Sequence, residues 1–448
     1  MAWLSFDLRE VKPTLTLALP IAAGNLSGML MGWIDALMVG RLGVLPLAAV
    51  AFSLSVWLFF YFLGSGFVLA VSVRVARAHA ARDIPALRGW LAASLIVSLS
   101  VSLFTTAMGL ASVKVLPFFG QDPEVVKAAI GFYTSIVLSL APGFLWLSLK
   151  TFLDALGRPW SGFWILIGCI AINILLNWLL IFGNWGFPRL GVTGAGVATL
   201  IARIAGAIFM ILIFVCTSYL RDLLFHLQNC RWESIRDLMH LGLPITSQML
   251  SESIAFNFGA IMIGWLGAVP LAAHQIAITL AGTTFMIPLG VGTALAIRMG
   301  NLLGGGHRQR LPGTIYGTLL VMCALMGFIG ALIILFSHQI PKWFVDSAAV
   351  HQIASQLLII VGILQIMDAL YILTQCGLRG FSDVRFPALT NIFAYLGFGI
   401  VCGFILGLVA KFEAPGVWVG LFLGTALSGI LCFFRLRSKV KEHTSIPL

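Results

Sequence analysis

Long apolar runs alternate with short polar connections along the whole chain. A helix needs about 20 apolar residues to cross the hydrocarbon core of a bilayer. Twelve runs meet that length, at roughly 14–39, 46–73, 89–111, 127–149, 160–183, 191–217, 237–264, 270–297, 313–336, 348–376, 385–409 and 414–436. Runs 1, 7 and 10 exceed a straight crossing, which predicts tilt or kinking. The runs are continuous, whereas a membrane barrel alternates in segments of about 10 residues. The pattern therefore predicts an all-α polytopic membrane protein with twelve transmembrane helices.

The pattern also recurs within the chain. LPIAAGNLSG (19–28) returns as LPITSQMLSE (243–252), VGRLGVLPLAAVA (39–51) as IGWLGAVPLAAHQ (263–275), and GFVLAVSVRVA (66–76) as GVGTALAIRMG (290–300). One offset, 224 residues, aligns all three and superposes Pro20 on Pro244, Pro46 on Pro270 and Arg74 on Arg298. Each half holds six runs, an even number, so both halves enter from the same face. The expectation is two six-helix bundles related by a pseudo-two-fold axis along the membrane normal, the plan of carriers whose site lies between two bundles. The bundles would be residues 1–217 and 237–448, the latter with a cytoplasmic tail, joined by a basic cytoplasmic linker at 218–236.

Composition narrows the class further. Of 448 residues, 60% are hydrophobic and only 10% charged, more apolar surface than a soluble fold of this size hides. The net charge of +11 does not indicate nucleic acid, because the basic residues are distributed by side. Twenty Lys and Arg, Lys150 among them, fall in loops on one side. Only Arg41, Lys114, Lys127, Arg189, Lys342 and Lys411 fall on the other, and Arg203 lies inside a run. The positive-inside rule then places both termini in the cytoplasm. A bacterial inner membrane is the expected location. The seven Cys contain no Cys-x-x-Cys pair and read as small core side chains, with neither disulfide nor metal site. The eight His form no ligand cluster.

Candidate chemistry centres on three acids inside apolar runs: Asp35 in MLMGWIDALMVG, Glu252 in TSQMLSESIAFNF and Asp368 in ILQIMDALYILTQ. An ionisable group there costs roughly 2.5–3.5 kcal/mol on insertion scales, so each is a functional candidate. A carboxyl in a low dielectric readily takes a proton or a metal cation, and an organic cation compensates the same charge. Competition for one acid gives antiport. Glu252 and Asp368 are the candidate Na⁺ ligands, and Asp35 the candidate proton site. Met29, Met31 and Trp33 near Asp35, Phe256 and Phe258 near Glu252, and Met367 and Tyr371 near Asp368 suit flat cationic guests. Lipid-facing or core packing is the competing reading for each alone. Asn173 and Asn177, four apart on one helix face, either join helices or serve an acid site. Asp154, at a helix end, reads as a structural or gating residue. Pro20 and Pro244 break the hydrogen-bond ladder of runs 1 and 7, as static kinks or as hinges. GVTGAG (191–196) and GNLLGGG (300–306) lack the Lys-Ser/Thr ending of a phosphate loop and read as tight helix connections.

The repeated VGRLG-x-L-P-L-A-A and IGWLG-x-V-P-L-A-A-H-Q motifs, the IRMGNLLG run and the LRGFSD turn resemble the multidrug and toxic compound extrusion family across essentially the whole chain. The NorM-like branch pairs an acid eight residues after the run-7 proline with one in run 10; Glu252 and Asp368 match, as do Asp35, Asn173 and Asn177. Ser382 and Val384 around Asp383 depart from the more basic, Thr-bearing turn expected there. The resemblance implies a secondary antiporter, with no cofactor and no enzymatic activity. It would export amphipathic organic cations against Na⁺ or H⁺ by alternating access, as a monomer in membrane lipid. A flippase-type exporter of a lipid-linked or other amphipathic metabolite is the alternative. It would want several cationic residues in its cavity to hold a diphosphate, and Arg203 is the one basic residue inside a run.

Overall fold

A computed structural model describes residues 8–225 and 231–444. The described residues are almost wholly helical and contain no strand. The long helices are α1 Leu8–Gly40, α2 Val44–Ala80, α3 Ile84–Ser112, α4 Pro123–Ala155, α5 Pro159–Phe182, α6 Val192–Cys216, α7 Trp232–Gly264, α8 Ala268–Gly304, α9 Arg308–Leu335, α10 Ala348–Gly380, α11 Arg385–Val409 and α12 Glu413–Thr444. Eleven of these helices are long and apolar enough to cross a membrane. The exception is α7. It has the length, but Thr246, Ser247, Gln248, Ser251, Glu252, Ser253 and Asn257 dilute its apolar character. A span rich in polar side chains is tolerated when those side chains face protein or a polar cavity.

Several helices overrun the apolar runs. α2 continues through Arg74, Arg77 and His79, and α4 continues past Lys150. Lys150 is therefore a helical residue, buried and paired with Asp154 at 2.6 Å, and not the loop cation expected from sequence. Of the expected linker, Ser218–Phe225 is a short helix with Leu220 and Leu223 buried, and α7 already begins at Trp232. Residues 226–230, with Cys230, lie outside the described residues, as do the first seven and the last four residues.

Local sequence explains the breaks and turns. Asp83 and Asp122 cap α3 and α4, accepting from the backbone N–H of Ala86 at 2.9 Å and Glu124 at 2.8 Å. α4 breaks at Ser139, because Pro142 has no N–H for the carbonyl of Leu138. The turns between α1 and α2 and between α7 and α8 are alike. Gly43 (φ 123°) and Gly267 (φ 117°) cap α2 and α8 in a conformation open only to glycine. This is why LG recurs in the repeated motif. GNLLGGG ends α8 as a tight turn, with the His307 N–H bonding the Leu302 carbonyl at 2.8 Å.

Packing divides the described chain into two units. Unit 1 takes the residues up to Ala22 and from Ser247 onward; unit 2 takes Ala23 to Thr246. In both α1 and α7 the membership changes two residues after the helix's proline, Pro20 or Pro244. Within unit 1, α10 is central and packs against α8, α9 and α12. Its core includes Ile276, Leu357, Val361, Leu364, Val417 and Trp418. Within unit 2, α4 has the corresponding place and packs against α2, α3 and α6. Val50, Phe132, Tyr133, Ile136 and Phe144 build that core.

Unit 1 also contains a close helix pair. Gly399, Gly403 and Gly407 of α11 face Gly416, Gly420 and Gly424 of α12; a Cβ on Gly420 would lie 2.1 Å from the Gly403 nitrogen. Small residues four apart let membrane helices touch backbone to backbone, where lipid offers no hydrophobic drive for association. α11 is wound with π turns over Ile392–Gly399 and Ile405–Val409.

Candidate functional site

In unit 2, α1 presents Asp35 to α5 and α6. Asp35 Oδ1 accepts from Asn177 Nδ2 at 2.5 Å, and Oδ2 from the Thr199 hydroxyl at 3.1 Å. Asn177 Nδ2 also donates to Asn173 Oδ1 at 3.1 Å, and Asn173 Nδ2 to Thr199 Oγ1 at 3.2 Å. The four side chains form a closed network with Asp35 only 7% exposed and both Asn fully buried. Asn177 Oδ1 is buried with no hydrogen-bond partner. A free amide oxygen beside a carboxylate is a donor set for a hard cation. Charge-assisted bonds from two neutral donors hold the carboxylate without neutralising it. The sequence brought forward Asp35, Asn173 and Asn177; it did not bring forward Thr199. A threonine in a membrane helix usually bonds its own backbone, so its spacing carries little signal.

In unit 1, Glu252 of α7 accepts from the Tyr371 hydroxyl at 3.0 Å. Tyr371 accepts from Asn391 Nδ2 at 2.8 Å, and Asn391 Oδ1 accepts from Gln375 and Ser428, both at 2.6 Å. Asp368 lies on α10 one turn before Tyr371, 6% exposed and within electrostatic reach of Glu252. Tyr395 packs edge-on against Tyr371 at 5.7 Å and its hydroxyl meets Thr425 at 3.1 Å. Phe256 stands 6.4 Å from both Tyr395 and Trp418, whose indole donates to His274 Nδ1 at 3.1 Å. The network thus joins α7, α10, α11 and α12. Asn391, Gln375, Tyr395, Ser428 and Thr425 were not singled out in sequence. The signal was there for Asn391, an amide within an apolar run like Asn173.

Among the described residues no Lys, Arg or His forms an ion pair with Asp35, Glu252 or Asp368. Asp154 differs. It is buried and its Oδ2 pairs with Lys150 on the same helix, while its Oδ1 has no partner. Of the candidate lining residues, Met31 is half-buried and Trp33 is 42% exposed. Met367 packs against the apolar core of unit 1, as a core side chain does. Phe258 is exposed and stacks edge-on with Trp265 at 6.4 Å. Among the described residues no cluster of three His, Cys, Asp or Glu is placed to hold a metal ion.

A polytopic helical bundle carrying buried, unpaired carboxylates on membrane helices defines a membrane carrier. A sequence model described as MatE matches residues 20–179 and 244–405, starting at Pro20 and again at Pro244. The chain belongs to the MatE family. It is 31% identical over 454 residues to "Multidrug resistance protein PmpM" of Pseudomonas aeruginosa, covering 97% of this chain and 93% of that protein. It is 30% identical over 440 residues to "Probable multidrug resistance protein NorM" of Agrobacterium fabrum, covering 96% and 94%. Among solved structures, a MATE in the straight conformation superposes with a TM-score of 0.88 at 22% identity, over 97% of each chain. The bent form of the Vibrio cholerae MATE transporter VcmN gives 0.86 at 17% identity, over 97% and 98%. These two likenesses establish the fold; the sequence relatives carry the family.

Proposed function

We propose that the protein is a cation-coupled multidrug exporter, taking amphipathic organic cations outward in exchange for Na⁺ or H⁺. The observation that carries this reading is that, among the described residues, Asp35 and Glu252 accept from neutral donors and Asp368 forms no ion pair with a base. A carboxylate stabilised in that way keeps its charge available to a mobile cation. The names of the sequence relatives support the same reading. Glu252 and Asp368 capture the inward cation in unit 1, and Asp35 takes up a proton in unit 2. Both sites would be emptied and refilled as the six-helix halves, 1–217 and 237–448, alternate in facing. Drug binding and ion binding favour opposite facing states, and each shifts the equilibrium only by its difference in affinity. The aromatic side chains Phe256, Tyr371 and Trp33 would meet the organic cation. Both termini lie in the cytoplasm of a bacterial cell in this reading.

Purified full-length protein in vesicles, with sodium and proton gradients imposed separately, tests the proposal through ethidium transport. The wild type should move ethidium under at least one gradient. Glu252→Gln and Asp368→Asn should insert normally and lose gradient-driven transport. Normal pumping by both variants overturns the assignment of the site.

A further inference from the structure

Arg203 is a basic residue in the middle of α6, and the exchange described above does not use it. It lies one turn after Thr199, so both side chains leave the same face of α6. Thr199 bonds Asp35, and Arg203 is within electrostatic reach of Asp35. Yet the guanidinium makes no ion pair with it. It stacks 4.7 Å above the Trp57 ring, and its Nη1 donates to Ser139 Oγ at 3.0 Å. Trp57 stacks in turn on Tyr61 at 5.1 Å, and Tyr61 on Phe144 at 5.9 Å. Gly143 lies alongside the arginine, where a Cβ would stand in ordinary contact 3.5 Å from Nη1. The break of α4 at Ser139 presents the hydroxyl that accepts from Arg203. The groups facing Asp35 are thus Asn173 and Asn177 from α5 and Thr199 and Arg203 from α6; Tyr61 of α2 faces Arg203.

We propose that Arg203 is a tethered counter-ion for Asp35. It rests on Trp57 and Ser139 while a mobile cation occupies Asp35, and it turns to Asp35 when that cation leaves. The inference rests on the reading that Asp35 captures a coupling cation. A buried carboxylate without a counter-charge is costly, so departure of the mobile cation is slow unless another charge takes over. An arginine does this well: it keeps its charge, is weakly hydrated, and exchanges an aromatic face for a carboxylate along one flexible stem. The same geometry couples the two cargoes. An organic cation that takes the Trp57 face displaces the guanidinium toward Asp35, and the guanidinium expels the coupling cation. Arg203 is therefore a positioning residue that sets how tightly Asp35 holds its cation.

Ethidium transport by the full-length protein in vesicles tests this, with the driving cation titrated in separate sodium and proton arms. Arg203→Gln should lower the cation concentration that gives half-maximal transport at least about threefold, with slower turnover from slower release. Trp57→Ala should raise it, because the guanidinium loses its resting place. Arg203→Lys should fall between wild type and Arg203→Gln, which separates lost charge from lost packing. Monodisperse elution of each variant checks folding. An unchanged or raised half-saturation in Arg203→Gln overturns the inference. Asp35→Asn distinguishes the two levels: if it transports normally, the reading of Asp35 fails; if it is inactive while Arg203→Gln matches wild type, only the counter-ion role fails.

Discussion

Unit 1 and unit 2 use the same turns to hold different chemistry. The 224-residue register that superposes Gly43 on Gly267 places Asp35 opposite Gly259 and Glu252 opposite Gly28. The turns ending α4 and α10 match at Gly157 and Ser382, and in that register Asp368 falls opposite Gly143. Each acid thus aligns with a glycine of the other half in sequence. The surroundings of the three glycines differ: nothing lies within 4 Å of a Cβ built on Gly28, whereas Gly259 is closely packed. A Cβ on Gly259 would lie 2.9 Å from Leu421, so unit 1 has filled with leucine the region that holds the carboxylate in unit 2. Gly143 lies beside Arg203, so unit 2 has a cation near the position where unit 1 has Asp368. The scaffold is repeated, and the charge placed on it differs between the copies.

That contrast is most sharply broken by exchanging neutral side chains for the acids. Under a sodium gradient alone, Asp368→Asn should lose roughly tenfold or more of ethidium transport. Under a proton gradient alone, Asp35→Asn should show the larger loss. Equal losses in both arms would mean that the two units act as one site with a single selectivity. The second comparison concerns packing. A methyl group on Gly420 meets backbone at 2.1 Å, whereas on Gly196 of unit 2 it meets the Phe132 carbonyl at 2.9 Å. Gly420→Ala should cost about 3 kcal/mol and Gly196→Ala less, read as shifts in thermal unfolding of the detergent-solubilised protein. A reversed order would show that α11 yields more easily than its glycine contacts indicate. The smallest effect is at the turn. Gly157 (φ 78°) and Ser382 (φ 63°) both adopt the left-handed conformation. Gly157→Ala should cost roughly 1 kcal/mol. Ser382→Gly should stay within about 0.5 kcal/mol, because relief of strain is offset by the freedom that glycine gains in the unfolded chain. The same unfolding assay measures both.

Much of the fold was legible because the bilayer imposes a ruler on sequence. Eleven of the expected spans are apolar helices, and the repeated motif contains the paired turns that the structure shows at Gly43 and Gly267. Helix ends were less legible. Hydropathy reports the apolar slab, and a helix continues beyond it until a cap or a glycine stops it, as α2 does through Arg74 and Arg77. Lys150 was misplaced for that reason. α7 was counted as an apolar run at 237–264, although its polar side chains make it a weaker apolar span than the other eleven. In the site, Asn173 and Asn177 were visible because two amides four residues apart in an apolar helix are unusual. Their bonds to Asp35 and Thr199 join helices distant in sequence, which no local spacing specifies. Tyr395 was passed over because it lies in the π-wound stretch of α11, where the α-helical spacing no longer tells which residues share a face, whereas Asn391, an amide in an apolar run, carried a signal that was not used. The Ser382 turn, which departs from the expected pattern, keeps the shape of its glycine counterpart, with Asp383 Oδ2 accepting from Arg435 at 2.8 Å.

The change of membership just past Pro20 and Pro244 bears on how such a chain arises and assembles. A half-length polypeptide ending after α6 would carry an opening segment that belongs to the other unit, and would itself lack the stretch of α7 up to Thr246. Only a second copy of that polypeptide supplies the missing piece, as in a swapped dimer. Joining two such halves in one chain makes the exchange intramolecular. Neither half is expected to fold autonomously; coexpressed fragments should recover function only together.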